Sequence, residues 1–139
     1  MRYVLDCSVA LKWFVPEPLS DKAFVALDRF RTGDIEFLAP EVCLAELGHG
    51  LRKRVIGKEI TAAEAGAAWT DVLSLDLDTI PTAELGASAL ALALDHLATF
   101  YDALYIALAA RDGLKVLTAD DRMVNAFAGL NRTASLADF

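Results

Sequence analysis

Two cysteines among 139 residues are too few for a disulfide-stapled scaffold, and Cys7 and Cys43 read as buried thiols with no assigned role. Long apolar runs are missing as well. The uncharged residues 87–94, shut in by Glu84 and Asp95, are far too few to span a bilayer. Asp6 and Lys12 fall where a signal peptide needs an unbroken apolar region, so the expectation is a cytoplasmic protein without a membrane. Basic residues are in the minority, 13 against 20 acidic, for a net charge of −7, whereas phosphate binding usually leaves a basic footprint. That objection is partial, because divalent ions cancel charge locally. Repeats, low-complexity stretches and linkers are absent too, and residues 1–139 read as one domain.

What is abundant is apolar mass, 55% of the chain, ample for one packed core and greasy enough to imply surface hidden in a partner. Residues 3–5 form a short apolar run suited to a buried parallel strand. Ser8 then reads as the N-cap of a short helix reaching Phe14, broken by Pro16 and Pro18. Helical spacing resumes at Ala23, Leu27 and Phe30 and stops at Gly33. Residues 36–38 are a second strand, and Pro40 with Glu41 starts a helix that carries Leu44, Leu47, Leu51 and Val55 to a stop at Gly57. Thr61 caps a helix to about Leu75, and residues 75–80 alternate as a strand ended by Pro81. Helices from Thr82 and after the Thr99 cap follow. The strand 115–118 is the clearest in the chain, with a helix over 121–127 and an edge strand over 132–136 behind it. The resulting expectation is α/β: a short, mostly parallel central sheet of about five strands with helices on both faces.

Four acids sit at or near the strand ends. Asp6 follows the first strand, where open α/β sheets bind ligands; it also reads as a local cap. Asp120 follows the strand 115–118, with Asp121 beside it as a rival. Asp102, three residues after Thr99, doubles as a capping-box acid, although that motif prefers Glu or Gln. Glu46 is the most telling, because Val42, Cys43 and Gly50, one turn away, are apolar or small. A carboxylate on such a face needs a cation or several donors. Gathered at one rim, the four repel one another, and hard oxygen ligands of this kind suit Mg²⁺ or Mn²⁺, one ion or two. A pair of ions about 3.5–4 Å apart activates water and stabilises the leaving oxygen of a phosphodiester. Asp6 is the candidate common ligand, and Glu46 the holder of a bound water.

The pieces Val4-Leu5-Asp6-Cys7-Ser8-Val9-Ala10-Leu11-Lys12-Trp13-Phe14, Pro40 with Glu46, Tyr101-Asp102-Ala103-Leu104-Tyr105-Ile106-Ala107-Leu108-Ala109 and Leu117-Thr118-Ala119-Asp120 span nearly the whole chain. In that order they resemble a PIN-domain ribonuclease of the VapC toxin type. The resemblance implies a single PIN-like domain and a Mg²⁺- or Mn²⁺-dependent endoribonuclease. It further implies a homodimer silenced by an antitoxin encoded beside it. It assigns catalysis and metal binding to Asp6, Glu46, Asp102 and Asp120, with Ser8 and Thr118 as supporting hydroxyls. One departure is His49, where the family often has Asn.

Other residues keep two readings. Arg52, Lys53, Arg54 and Lys58 are either cations favouring a helix C-terminus or contacts to phosphate or a partner. Trp13, Phe14, Phe100 and Tyr101 are core mass or base-stacking platforms. Asp76 and Asp78 read as a solvent face, and His96 as a surface residue. Glu46 with His49 spells the Glu-x-x-His of di-iron bundles, but only one copy is present. An aspartate-nucleophile phosphohydrolase needs a second Asp two residues after Asp6, and that position is Ser8. A non-catalytic subunit whose acids merely cap helices is the remaining alternative.

Overall fold

The computed structural model describes all 139 residues. The chain runs β1 (Arg2–Leu5), α1 (Cys7–Leu11), α2 (Ser20–Arg31), β2 (Glu36–Pro40), α3 (Val42–Ile56), α4 (Ala62–Ser74) and β3 (Asp78–Ile80). It continues through α5 (Thr82–His96), α6 (Phe100–Asp112), β4 (Val116–Thr118), α7 (Asp121–Ala126) and β5 (Thr133–Ser135). All four strand pairings are parallel, in the order β3-β2-β1-β4-β5. The expected five-stranded α/β sheet is therefore present.

The winding turns back at β1. Successive strands step one way from β1 to β3, and the chain then returns to add β4 on the other flank of β1. The ends of β1 and β4 form a topological switch point, where such sheets leave a crevice for ligands. Val4 pairs with Val116 and Leu5 with Leu117; the next step along that register brings Asp6 beside Thr118. β1 and β4 are short and end fully buried, as central parallel strands do.

Helix α6 lies against β1, β2 and β4, and residues 103–109 are all buried. A helix apolar all round belongs inside. Its first turn projects to the rim, which carries Asp102 to the strand ends. On α3 the buried stripe is Cys43, Leu47 and Leu51, while the predicted Leu44 and Val55 are only partly buried. A Cβ added at Gly50 would come within 3.2 Å of the Leu11 side chain, and one at Gly48 within 3.5 Å of Trp69. The close approach at Gly50 is the packing of α3 against α1, while at Gly48 a Cβ would meet Trp69 at ordinary contact distance.

Three local expectations fail for identifiable reasons. Ser8 is not an N-cap: α1 starts at Cys7 with Asp6 in the cap position, and the Ser8 hydroxyl is spent elsewhere. Pro40 ends β2 rather than opening α3, and Glu41 instead accepts the Thr82 N–H at 2.8 Å, tying the start of α5 to the end of β2. The strand expected over 75–80 is only Asp78–Ile80, because Asp76 takes a left-handed φ of 51° that breaks the extended run. Asp76 and Asp78 are exposed as expected. No single helix is long and apolar enough to cross a membrane.

Candidate metal centre

Asp6 is the only buried charged side chain in the molecule, and Thr118 is buried with it. Both lie at the switch point. Thr118 Oγ1 donates to Asp6 Oδ2 at 2.6 Å, and Ser8 Oγ donates to the same oxygen at 2.5 Å. The two hydroxyls then accept from the backbone, Ser8 from the Ala119 N–H and Thr118 from the Asp120 N–H, each at 3.0 Å. Each hydroxyl in this knot thus donates once and accepts once. It leaves Asp6 Oδ1 outside the hydrogen bonding, facing a cleft of 560 Å³.

That cleft is lined by all four predicted acids, Asp6, Glu46, Asp102 and Asp120. Glu46, half-buried on α3, accepts the Tyr105 hydroxyl at 2.9 Å. Burial foremost, and then the charges of Asp6, Asp102 and Asp120, raise its pKa to about 6 against the pull of that hydrogen bond. Burial also raises Asp6, outweighing the Ser8 and Thr118 bonds. Asp102 is raised by burial and by Asp120, with Arg122 opposing. Asp6, Glu46 and Asp102 thus each register their acidic neighbours, as groups in a functional cluster do.

Asp120, not Asp121, is the cleft residue. It also caps α7, its Oδ1 accepting the Arg122 N–H at 2.9 Å, while the Arg122 guanidinium reaches its Oδ2 at 3.2 Å. Asp102 is no capping-box acid in the full sense. Thr99 Oγ1 accepts the Asp102 N–H, yet the reciprocal bond that Glu64 makes to the Thr61 N–H in α4 has no counterpart here.

No three His, Cys, Asp or Glu side chains converge on one point at ligand distance. The acids surround the cleft instead of enclosing a single centre, as self-repelling charges do. Their chemistry nonetheless fits a hard divalent cation, since the donors are carboxylate oxygens, one of them held with a free lobe. Cys7 also lines the cleft, but burial raises its pKa far above the usual thiol range. Cys43 is likewise buried, at about 12. Both are free thiols.

A sequence model of the PIN domain matches residues 3–128. The chain belongs to the PIN domain family. Among curated PIN-type relatives, Ribonuclease VapC3 of Pyrobaculum aerophilum is 30% identical over 130 residues, covering 94% of this chain and 98% of its own. Ribonuclease VapC1 of Mycobacterium tuberculosis is 39% identical over 88 residues, 63% of this chain and 65% of that one. Two solved structures share the fold. A toxin–antitoxin complex from Klebsiella pneumoniae aligns with TM-score 0.70 at 16% identity, over 96% and 97% of the two chains. VapBC2 from Rickettsia felis, bound to a promoter DNA fragment, aligns with TM-score 0.68 at 16% identity, over 97% and 98%.

Within this PIN domain the remaining candidates sort clearly. Arg54 is paired with Glu17 at 2.7 Å and with Glu59 at 2.8 Å. Arg52 is exposed away from the cleft, whereas Lys53 lines it. Trp13 is buried, its indole N–H on the Ala23 carbonyl, and Phe14 and Phe100 pack on the core; only Tyr101 is an exposed aromatic at the cleft. His96 is half-buried, 3.2 Å from the Ala126 carbonyl and tilted against Phe127, which corrects its reading as a surface residue. Sequence reasoning assigned no role to Tyr105 or Arg122. Tyr105 was detectable in principle, because a Tyr one turn after Asp102 in so apolar a helix must find a partner for its hydroxyl.

Proposed function

We propose that this protein is a Mg²⁺- or Mn²⁺-dependent endoribonuclease that hydrolyses RNA phosphodiester bonds, and that it is the toxin of a cytoplasmic toxin–antitoxin pair. The observation that carries this reading is the knot of Ser8 and Thr118 on Asp6, the only buried charged side chain, set in a cleft with three more carboxylates. Asp6, Glu46, Asp102 and Asp120 would hold the ion, and the relatives named as ribonucleases support the choice of substrate.

A bound Mg²⁺ or Mn²⁺ would supply Lewis-acid polarisation of the phosphoryl group and ease deprotonation of water. The chain's own residues do the rest. Ser8 and Thr118 fix the Asp6 carboxylate in one orientation, so no reorganisation is needed when charge develops. Tyr105 holds Glu46 so that its other oxygen can orient the attacking water and accept its proton. The four negative charges disfavour the phosphate to be cleaved at the centre itself until a cation offsets them.

Two exposed apolar surfaces support the partners. Leu90, Leu94 and Leu97 follow one flank of α5, and Phe24, Trp69 and Leu73 stand exposed on α2 and α4. We assign these surfaces to a second copy and to an antitoxin, a partner named in the matching complexes. The test is cleavage of single-stranded RNA by purified protein with Mg²⁺ or Mn²⁺, silent in EDTA and in Asp6→Asn. Cleavage that survives EDTA would overturn the metal-dependent reading.

A further inference from the structure

A polyanion cannot approach a chain of net charge −7 through a cleft floored by four carboxylates unless the rim carries cations. The rim does. On α3, Glu46, His49 and Lys53 recur at three and four residues, which puts them on one face, and all three line the cleft. Lys53 has no acidic partner, although Arg54 beside it has two. Across the cleft stand Arg122, whose side chain is 82% exposed, and Tyr101, 58% exposed at the first turn of α6. Arg122 spends one nitrogen on Asp120, so the rest of its fork stays available for a phosphate.

Spacing decides what each group meets. Seven residues of helix separate Lys53 from Glu46, about 10 Å along α3, so Lys53 reaches beyond the phosphate being cleaved. The phenol of Tyr101 is one residue from Asp102, at the opposite lip, and an exposed ring there suits an unpaired base. A paired base would have its faces covered by stacked neighbours.

Building on the ribonuclease reading above, we infer that Lys53 and Arg122, on opposite walls of the cleft, hold backbone phosphates flanking the cleaved one while Tyr101 stacks an unpaired base. The substrate is therefore a single-stranded segment threaded across the cleft, from the α3 wall to the start of α7. Arg52 and Arg54 take no part.

The test is fluorescence anisotropy of a labelled single-stranded RNA oligomer in EDTA, which stops cleavage, over a range of KCl. Lys53→Gln and Arg122→Gln should each weaken binding and reduce the slope of log affinity against log salt by about 0.7, the share of one phosphate contact on a single strand. Tyr101→Ala should weaken binding about fivefold or more with the slope unchanged, and Tyr101→Phe should restore it. Arg52→Gln, one residue away but off the cleft, should keep the wild-type slope. Wild-type slopes in both the Lys53 and Arg122 variants, or an equal loss in Arg52→Gln, overturn the inference. If wild type cleaves RNA in Mn²⁺ while the variants bind normally, the inference alone fails. A wild type that neither binds nor cleaves brings down the ribonuclease reading, and the inference with it.

Discussion

Thr118 donates to Asp6 across 2.6 Å and, through the same oxygen, accepts the backbone N–H of Asp120, so one side chain locks both strand-end aspartates together. Thr118→Val keeps the shape but removes both bonds, leaving the Asp120 N–H without its acceptor. A buried hydrogen bond to a charged group is worth about 1.5–3 kcal/mol, and a loss of that size is expected in urea unfolding at neutral pH. Thr118→Ser should recover most of it. Equal stability of the Val variant and wild type would show that the knot does not order Asp6.

The pH dependence of stability follows from Glu46. Its carboxyl is raised from the ordinary 4.5 to about 6, with burial the main cause, so between those values the folded state holds a proton that the unfolded chain has released. The contribution is full below 4.5 and is lost as pH rises through about 6. In EDTA, wild type should lose stability across that window relative to Glu46→Gln, which has nothing to titrate there. Asp6 and Asp102 are raised as well and act on stability in the same direction. Tyr105→Phe removes the bond that holds Glu46 down and should move the window upward. Parallel curves for wild type and Glu46→Gln would place Glu46 in open solvent.

The middle of the sheet was legible because β1, β2 and β4 each carry a short apolar run between helix signals, and β1 and β4 are followed by an acid one or two residues on. The acids were legible for the same reason: a carboxylate beside buried strand ends, or on the small-residue face that holds Glu46, stands out against its neighbours. The failures share a different cause. Ser8 and Pro40 carry strong local signals for helix starts, yet each is overruled by a partner distant in sequence, the Ala119 N–H for Ser8 and the β3 strand for Pro40. Arg54 looks identical to Lys53 in sequence, and only the fold brings Glu17 to one and leaves the other free. Such pairings across the fold leave no local trace.

Arg122 and a divalent cation compete for the same carboxylate. The guanidinium rests 3.2 Å from Asp120 and its charge also reaches Asp102, so removing it should raise the affinity for Mn²⁺. Exposed ion pairs of this kind are weak, hence a gain of up to about fivefold. Calorimetric titration of Arg122→Gln with Mn²⁺ measures it, and weaker Mn²⁺ binding than wild type would mean that the arginine supports the ligands instead of opposing the ion.

Asp102 separates a metal site from a set of helix caps. Thr99 caps α6 by accepting the Asp102 N–H, a bond that Asp102→Asn leaves intact. The substitution removes one charge from a cluster in which burial and Asp120 both disfavour ionisation. In EDTA the variant should therefore melt at or above wild type, whereas loss of a cap costs about 0.5–2 kcal/mol. Mn²⁺ at a hundredfold excess over its dissociation constant should stabilise wild type by about 2.7 kcal/mol and the variant by less, because a ligand charge is gone. A variant that melts well below wild type in EDTA and responds equally to Mn²⁺ would make Asp102 structural and remove it from the centre.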